Sequence, residues 1–191
     1  SKLAKEPGDR GGVRKQALRR QIYVMTGGLY EGVHFGLMSV LEYPTDVSEG
    51  HKSDHVTRHE RSVENFYIAT SRDGIGWDFH WVYAGQPLVR RGPAGAWDKD
   101  MVFPTTQIIT HKDNHWIYYG GNNARHGAAD KGVWFGRQGG IGLARSRLDR
   151  LFAFEAANTA RTVTTRPLKL ARGRPHFNVG ARGPGQGRVK A

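Results

Sequence analysis

The sequence predicts an all-β protein of short antiparallel strands, and two observations carry that prediction. From residue 21 onward, runs rich in β-branched and aromatic residues follow one another, and Gly, Pro, Asn and Asp bound them, as in strands joined by tight turns. Extended helical periodicity is hard to find. The 26 glycines also suit many turns better than a helix bundle.

Ten such runs are the predicted strands, and turn residues separate them. Asp113-Asn114 marks a hairpin between the fifth and the sixth run. A turn that contains Gly and Pro, at residues 92–95, separates the fourth run from the fifth. In order, the runs are residues 21–26, 33–43, 65–71, 79–84, 102–110, 115–120, 140–146, 151–154, 163–170 and 176–179.

A short motif is repeated along the chain. The tetrapeptide ATSR that begins at Ala69 recurs as ARSR at Ala144, 75 residues later. A glycine-punctuated aromatic run precedes each copy, at residues 33–36 and 116–121. The first copy leads into a Ser-x-Asp-Gly-x-x-Trp turn at residues 71–77, where Asp bonds the backbone and Gly accepts a positive φ. Four-stranded antiparallel units in series are typical of propeller blades.

The net charge of +12 lies at the two ends of the chain. Residues 1–20 contribute +5, residues 161–191 contribute +8, and residues 21–160 contribute −1. Nucleic-acid-binding domains more often carry basic residues on the folded part, so we expect no specific nucleic acid as partner. The chain accordingly divides into a basic linker (1–20), propeller blades (21–160), and final strands with a Gly/Arg-rich tail (161–191).

Several classes of protein are excluded by composition. The chain has no cysteine, which excludes disulfides, thiolate metal sites and cysteine nucleophiles. No apolar run approaches the ~18–20 residues that cross a bilayer, so we expect no membrane partner. The sequence contains no signal-type apolar region, and the compartment stays open, with an extracytoplasmic location compatible with the composition.

Five segments, in this order, resemble the later blades of the five-bladed propellers of glycoside hydrolase families 32 and 43. They are residues 67–77, 93–98, 102–104, 116–121 and 140–149. The nearest likeness is to the relatives described as glycosyl hydrolase family 32 N-terminal domain-like, and it covers residues 23–170. It implies a partial propeller of two to three four-stranded blades. Because five blades need ~250–350 residues, a missing N-terminal half or a partner chain would complete it.

The resemblance implies a hydrolase that cleaves a glycosidic bond, for example of a furanoside. Such enzymes place two carboxyl groups on either side of the scissile bond. Glu31 matches the Glu-Gly-Pro-His context of the family 43 acid, with Val33 in place of the proline and His34 retained. We therefore predict Glu31 as the general acid and His34 as a substrate contact. No residue matches the first-blade base, so hydrolysis would need the N-terminal blades.

Further candidates for sugar binding flank the runs at 102–110 and 115–120. A tryptophan can stack on a sugar ring, and aspartates can orient its hydroxyls. The polar, glycine-rich loop after residue 120 can place side chains at the mouth of a site. Alternatively, these residues are an Asp turn, a core tryptophan and a surface loop. The predicted residues are Trp97, Asp98, Asp100, Asn122, Arg125 and His126.

Two other functions stay open. A non-catalytic carbohydrate-binding or scaffold propeller is the alternative, because a fold does not establish an activity. A polyanion-binding fragment driven by the basic ends is the third hypothesis. No cofactor is certain, although the resemblance allows a central structural Ca²⁺ near His126. The histidines at 51, 55 and 59 have helical spacing, but their polar surroundings favour a solvated loop over a zinc site.

Overall fold

Eight strands and one short helix form the described part of the chain. The computed structural model describes residues 20–42, 62–126, 138–153, 162–164 and 167. Strands account for 54% of these residues, so the all-β prediction is confirmed. The elements are β1 (Arg20–Tyr30), β2 (Val33–Glu42), β3 (Val63–Ser71), β4 (Trp77–Asp78), α1 (His80–Tyr83), β5 (Met101–Pro104), β6 (Ile109–His111), β7 (Asn114–Asn122) and β8 (Gly139–Arg147).

The strands form one mixed sheet that does not close on itself. The strand order is β1-β2-β3-β5-β7-β6, with β4 beside β3 and β8 beside β7. β3 and β5 are parallel where Glu64 is bridged to Met101. The described residues divide into two compact units: those up to Ile109 together with those of 116–145, and Thr110–His115 together with those from Ser146 onward. The propeller architecture itself stays a prediction.

The β1–β2 hairpin ends in a two-residue turn. Its central residues are Glu31 and Gly32, with φ angles of 47° and 74°. Two successive positive φ angles are what a type I′ hairpin turn requires, and Gly satisfies this at no steric cost. Tyr30 and Val33 close the turn as the last pair of the hairpin. Glu31 is therefore an exposed turn residue in this hairpin.

β2 and β3 form the central antiparallel pair, and both of its faces are buried. Their register contains nine residue pairs. Directly opposed residues share a face of the sheet. One face packs against Val82 of α1 and consists of Met38, Val40, Tyr67 and Ala69. The other face carries the pairs Leu37–Ile68, Ser39–Phe66 and Leu41–Glu64.

β5, β7 and β8 form a second antiparallel set. Met101 to Pro104 of β5 pair with Asn122 to Tyr119 of β7. Asn123 N–H bonds the Gln138 carbonyl before β8 begins (3.0 Å), whereas Arg145 near its end lies 5.7 Å from the Trp116 ring. β8 thus runs antiparallel to β7. The two copies of the repeated motif occupy equivalent places, each at the end of the third strand in its set.

The turn after β3 is held by the side chain of Asp73. Its Oδ1 atom accepts hydrogen bonds from the N–H groups of Ile75 and Gly76, both at 2.8 Å, and from the Ser71 hydroxyl at 3.0 Å. These bonds lower the pKa of Asp73, with the Ile75 bond contributing most. Trp77 folds back, and its Nε1–H bonds the Gly74 carbonyl at 3.2 Å. The turn prediction for this motif agrees with the structure.

Three strand predictions need correction. Residues 79–84 form the helical turn α1 rather than a strand, because Asp78 Oδ1 accepts the His80 N–H (2.9 Å) and Val82 packs into the core. The run at 102–110 is split into β5 and β6, and residues 151–153 are not a strand. The run at 176–179 and most of 163–170 lie outside the described residues. No helix among the described residues is long and apolar enough to span a bilayer.

His115 anchors the second compact unit and is fully buried. Its Nε2 atom accepts the main-chain N–H of Asp149 (3.2 Å), and its Nδ1 atom bonds the Thr110 hydroxyl (2.9 Å). A main-chain N–H can only donate, so Nε2 is unprotonated and the proton is on Nδ1. Burial lowers the pKa of His115, while the nearby Asp149 carboxylate raises it by less.

We expect His115 to make the fold sensitive to acid. The folded pKa lies below the ordinary 6.5, so the stability contribution of neutral His115 is present above pH 6.5 and is lost as pH falls through the folded pKa. Losing the Asp149 bond should lower the melting temperature by roughly 2–4 °C between about pH 7 and about pH 5. His115→Gln should remove this part of the pH dependence, whereas the exposed-site variant His111→Gln should keep it. Equal profiles for both variants would contradict the assignment.

Gly27 should be intolerant of a side chain. A Cβ atom there would lie 2.1 Å from the carbonyl oxygen of Phe35, a main-chain atom that cannot move without breaking the hairpin. We expect Gly27→Ala to lower the free energy of unfolding by about 1–3 kcal/mol. Gly139→Ala is the control, since its Cβ would have an ordinary contact at 3.5 Å, and should change stability by less than about 0.5 kcal/mol. Urea unfolding of the two variants tests this, and equal midpoints would refute it.

Candidate functional site

Six of the eight predicted site residues lie close together. They converge where three segments of the first unit meet: the loop before β5, the C-terminal end of β7 with the residues after it, and the beginning of β3. We call this group the aspartate cluster. Its predicted members are Trp97, Asp98, Asp100, Asn122, Arg125 and His126, and the structure adds Glu64 and Tyr119.

Main-chain hydrogen bonds hold the three segments together. The Asp100 N–H donates to the Asn122 carbonyl at 3.2 Å, and the Asp100 carbonyl accepts the Glu64 N–H at 3.1 Å. The His126 N–H donates to the Ser62 carbonyl at 3.1 Å. Residues 98–100 are thus fixed between β3 and β7 by their own backbone. Their side chains are positioned by the sheet rather than by a free loop.

Asp98 and two aromatic rings form one side of the aspartate cluster. The Tyr119 hydroxyl donates to Asp98 Oδ2 at 3.1 Å, and burial together with this bond raises the pKa of Tyr119. The Trp97 ring lies nearly parallel to the Tyr119 ring, at 12° and 5.9 Å between centroids. A Cβ atom on Gly121 would lie 3.0 Å from Trp97, so the glycine lets the indole rest on β7. Trp97 is half-buried.

Asp100 is the centre of a charged group. Its carboxylate pairs with Lys99 Nζ and, at 3.8 Å, with Arg125 Nε. Arg91 lies beside them, donating from Nε to Asn65 Oδ1 at 2.9 Å and from its terminal nitrogen to the Lys99 carbonyl at 2.8 Å. Asp100 is buried, whereas Arg125 is 40% exposed on its side chain. The cluster therefore offers guanidinium donors at its solvent side.

Glu64 is the member of the cluster that the sequence prediction missed. It lies on β3 between Leu41 of β2 and Met101 of β5, and is 3% exposed. Burial raises the pKa of its carboxyl to about 7. Within the described residues no hydrogen bond or ion pair to this carboxyl is found. The signal in the sequence was an isolated glutamate at the edge of an apolar run, since the predicted strand began at residue 65.

Glu31 and His34 do not join the aspartate cluster. His34 pairs with Ser71, at the opposite end of β3 from Glu64, and Glu31 lies beyond it in the hairpin turn. Ser71 is seven positions from Glu64 along β3, which corresponds to about 23 Å at ~3.3 Å per residue. Paired carboxyls in glycosidases are only ~5–9.5 Å apart. Glu31 as the general acid stays a prediction, but it cannot work together with Asp98 or Asp100 in this arrangement.

Asn122 and His126 shape the loop after β7. Asn122 Oδ1 accepts the N–H of Ala124 at 3.0 Å, and the His126 ring meets the edge of Tyr23 at 5.4 Å. Over residues 20–42, 62–126 and 138–153, no group of three or more His, Asp or Glu is arranged to hold a metal ion. The Ca²⁺ hypothesis stays a prediction, and the histidines at 51, 55 and 59 lie outside the described residues.

Comparisons with protein-family models, with curated proteins and with solved structures gave no match to this chain. The resemblance to glycoside hydrolase propellers therefore rests on the sequence segments and their order. The polyanion hypothesis also stays a prediction, because the basic segments at 1–20 and 161–191 lie almost wholly outside the described residues.

Glu64 should make the protein less stable as the pH rises. The unfolded chain ionises near the ordinary 4.5, whereas the folded state keeps the proton to about 7. Folding takes up a proton between these values, so stability declines with rising pH, by at most ~3 kcal/mol above pH 7. Glu64→Gln should therefore raise the free energy of unfolding at about pH 8 by ~1–3 kcal/mol, and the gain should vanish near pH 4.5.

The control for this experiment is Glu31→Gln, which alters an exposed turn carboxyl. It should change stability by less than about 0.5 kcal/mol at either pH. Chemical unfolding of both variants across the pH range gives the comparison. A Glu64→Gln protein that is less stable than the parent at high pH would show that the carboxylate is compensated in the fold.

Proposed function

We propose that this chain forms consecutive blades of a glycoside hydrolase-type propeller and that the aspartate cluster is its carbohydrate site. Two features support the blade assignment. The sets β1–β2–β3 and β5–β7–β8 are both antiparallel, and the repeated motif ends the third strand of each. In this proposal a complete propeller also contains blades that lie in a longer chain or in a partner chain.

The observation that carries the proposal is the convergence of sugar-type contacts at one end of the sheet. Asp98 and Asp100 are fixed by main-chain bonds, and Trp97 and Tyr119 provide stacked aromatic surface beside them. Carboxylates and guanidinium groups bind hydroxyls through charge-assisted hydrogen bonds, and an indole face packs against the C–H face of a sugar. Arg125 supplies the exposed guanidinium.

For hydrolysis, Glu64 is the better candidate acid among the described carboxyls. A general acid must be protonated near its working pH, and burial raises the pKa of Glu64 to about 7. The main chain of Glu64 is bonded to that of Asp100, since the Glu64 N–H donates to the Asp100 carbonyl at 3.1 Å. In this proposal Glu64 donates the proton to the leaving sugar oxygen as the glycosidic bond breaks, Asp98 and Asp100 orient hydroxyls, and the blades outside this chain supply the base that activates water or the nucleophile. The substrate would be a furanoside.

Carbohydrate binding without hydrolysis is the second candidate, and a specific observation favours it. Glu64, Asp98 and Asp100 are only 3%, 8% and 7% exposed. Asp98 and Asp100 already have protein partners. A catalytic carboxyl must touch its substrate, so these groups would have to become accessible when a sugar binds. A binding site needs only the exposed parts of Trp97 and Arg125.

The test is a turnover screen with aryl furanosides and pyranosides on the longest form of the protein that contains this chain. We expect hydrolysis of a furanoside, a loss of about 10²–10⁴ in kcat for Glu64→Gln, and little change for Glu31→Gln. Asp98→Asn should raise KM more than it lowers kcat, because Asp98 orients the sugar hydroxyls equally in the ground state and in the transition state.

Three outcomes separate the hypotheses. If Glu31→Gln loses turnover while Glu64→Gln keeps full activity, Glu31 is the general acid. Saccharide binding that depends on Trp97 and Arg125, without turnover in any form, would establish the second candidate. If the protein shows neither binding nor turnover with any furanoside or pyranoside, the proposal is overturned.

A further inference from the structure

On the face of β2–β3 that lies away from α1, two of the buried side chains are polar. Ser39 is fully buried, and among the described residues its hydroxyl has no hydrogen-bond partner. Glu64, at 3% exposed, shares this face. The face also contains the buried apolar residues Leu37, Leu41, Phe66 and Ile68, and the half-buried Thr70 lies at its far end. Two polar groups on an apolar face are costly unless they serve each other or a ligand.

The register places these two groups within reach of each other. Ser39 is opposite Phe66, and Glu64 is two residues before Phe66 on β3. They are diagonal neighbours on the same face, and such residues have Cα atoms ~7–8 Å apart with the Cβ atoms closer. A glutamate side chain has three rotatable bonds and spans most of that distance. Thr70, the other hydroxyl on this face, lies six residues from Glu64 along β3, about 20 Å away and out of reach.

We propose that the Ser39 hydroxyl donates a hydrogen bond to the Glu64 carboxylate when Glu64 ionises. Ser39 is then a positioning residue for Glu64. The protonated carboxyl is neutral and is tolerated among Leu41, Phe66 and Met101. The carboxylate needs a donor, and Ser39 is the buried hydroxyl diagonal to it in the β2–β3 register. The inference concerns the protonation of Glu64 and stands whether or not the aspartate cluster hydrolyses glycosides.

The charged groups of the neighbouring elements are engaged with other partners. Arg20 of β1 bonds Glu42 of β2 at 3.3 Å. Leu41 is opposite Glu64 and shares its face, so the next residue, Glu42, points to the other face of the sheet. Arg20, which is opposite Glu42, lies on that other face as well. Lys99 and Arg125 pair with Asp100, whose carbonyl rather than carboxylate meets Glu64. Asn122 of β7 is two strands away, beyond Met101. Ser39 thus has no charged competitor among these groups.

Side-chain carboxyl NMR of the labelled protein, from about pH 4 to about pH 9, tests the proposal without a substrate. Glu64→Gln assigns the Glu64 signal. Burial alone raises the pKa of Glu64 to about 7, so the parent protein, with the Ser39 bond, should titrate between the ordinary 4.5 and 7. Because a hydrogen bond to a charged group is worth roughly 1 kcal/mol more than one to a neutral group, Ser39→Ala should shift the midpoint upward by about half to one pH unit. Ser39→Thr retains the hydroxyl and should keep the parent midpoint.

The melting temperatures of both Ser39 variants show whether a shift reflects only loosened packing. A raised midpoint in Ser39→Ala, with Ser39→Thr unchanged and both folded, supports the proposal. A midpoint in Ser39→Ala within about 0.2 pH units of the parent overturns it. So does an equal upward shift in Ser39→Thr, since the hydroxyl would then not be the cause. Turnover enters none of these results, so failure here is distinct from failure of the glycosidase proposal.

Discussion

The nine-pair register between β2 and β3 is the constraint on which the rest of the described structure depends. Both faces of this pair are buried, so a slip of one residue would move every side chain to the wrong face. It would exchange Tyr67 and Ala69, which pack against α1, for Phe66 and Ile68. The same register determines that Ser39 and Glu64 share an apolar face, and it separates Glu31 from the aspartate cluster.

The aspartate cluster is an extension of this pair rather than an independent loop structure. β3 bonds the loop before β5, and that loop bonds the end of β7, so three separate segments of sequence are fixed to one another by main-chain groups. In the described part of the chain the buried Glu64 carboxyl has no partner, which works against stability, and strongly shifted carboxyls of this kind are concentrated at functional sites. The cost of Glu64 is the physical reason for assigning a function to this end of the sheet.

The strands were readable from the sequence where bulky runs alternate with turn residues. β2, β7 and β8 lie within two residues of their predicted bounds, because burial and turn chemistry are both local signals. The helix α1 was missed because four residues show no periodicity, and its formation depends on packing by Val82. Residue chemistry and loop context made Trp97, Asp98 and Asn122 candidates, and the structure brings them together, although their part in sugar binding stays a prediction. Glu31 matched a motif whose position depends on the hairpin register. Glu64 could not be found from the sequence, because its environment comes from β2 and β5.

The central claim, a sugar site beside Trp97, is tested most directly by indole N–H NMR during titration with a panel of furanosides and pyranosides. The chain has five tryptophans, so their signals can be assigned by single Trp→Phe variants. The account predicts that one class of saccharide shifts the Trp97 signal saturably, while the signals of Trp77, which packs against the core, and of Trp81 in α1 stay fixed. An unmoved Trp97 signal throughout the panel, or equal shifts of all assigned signals, would contradict it.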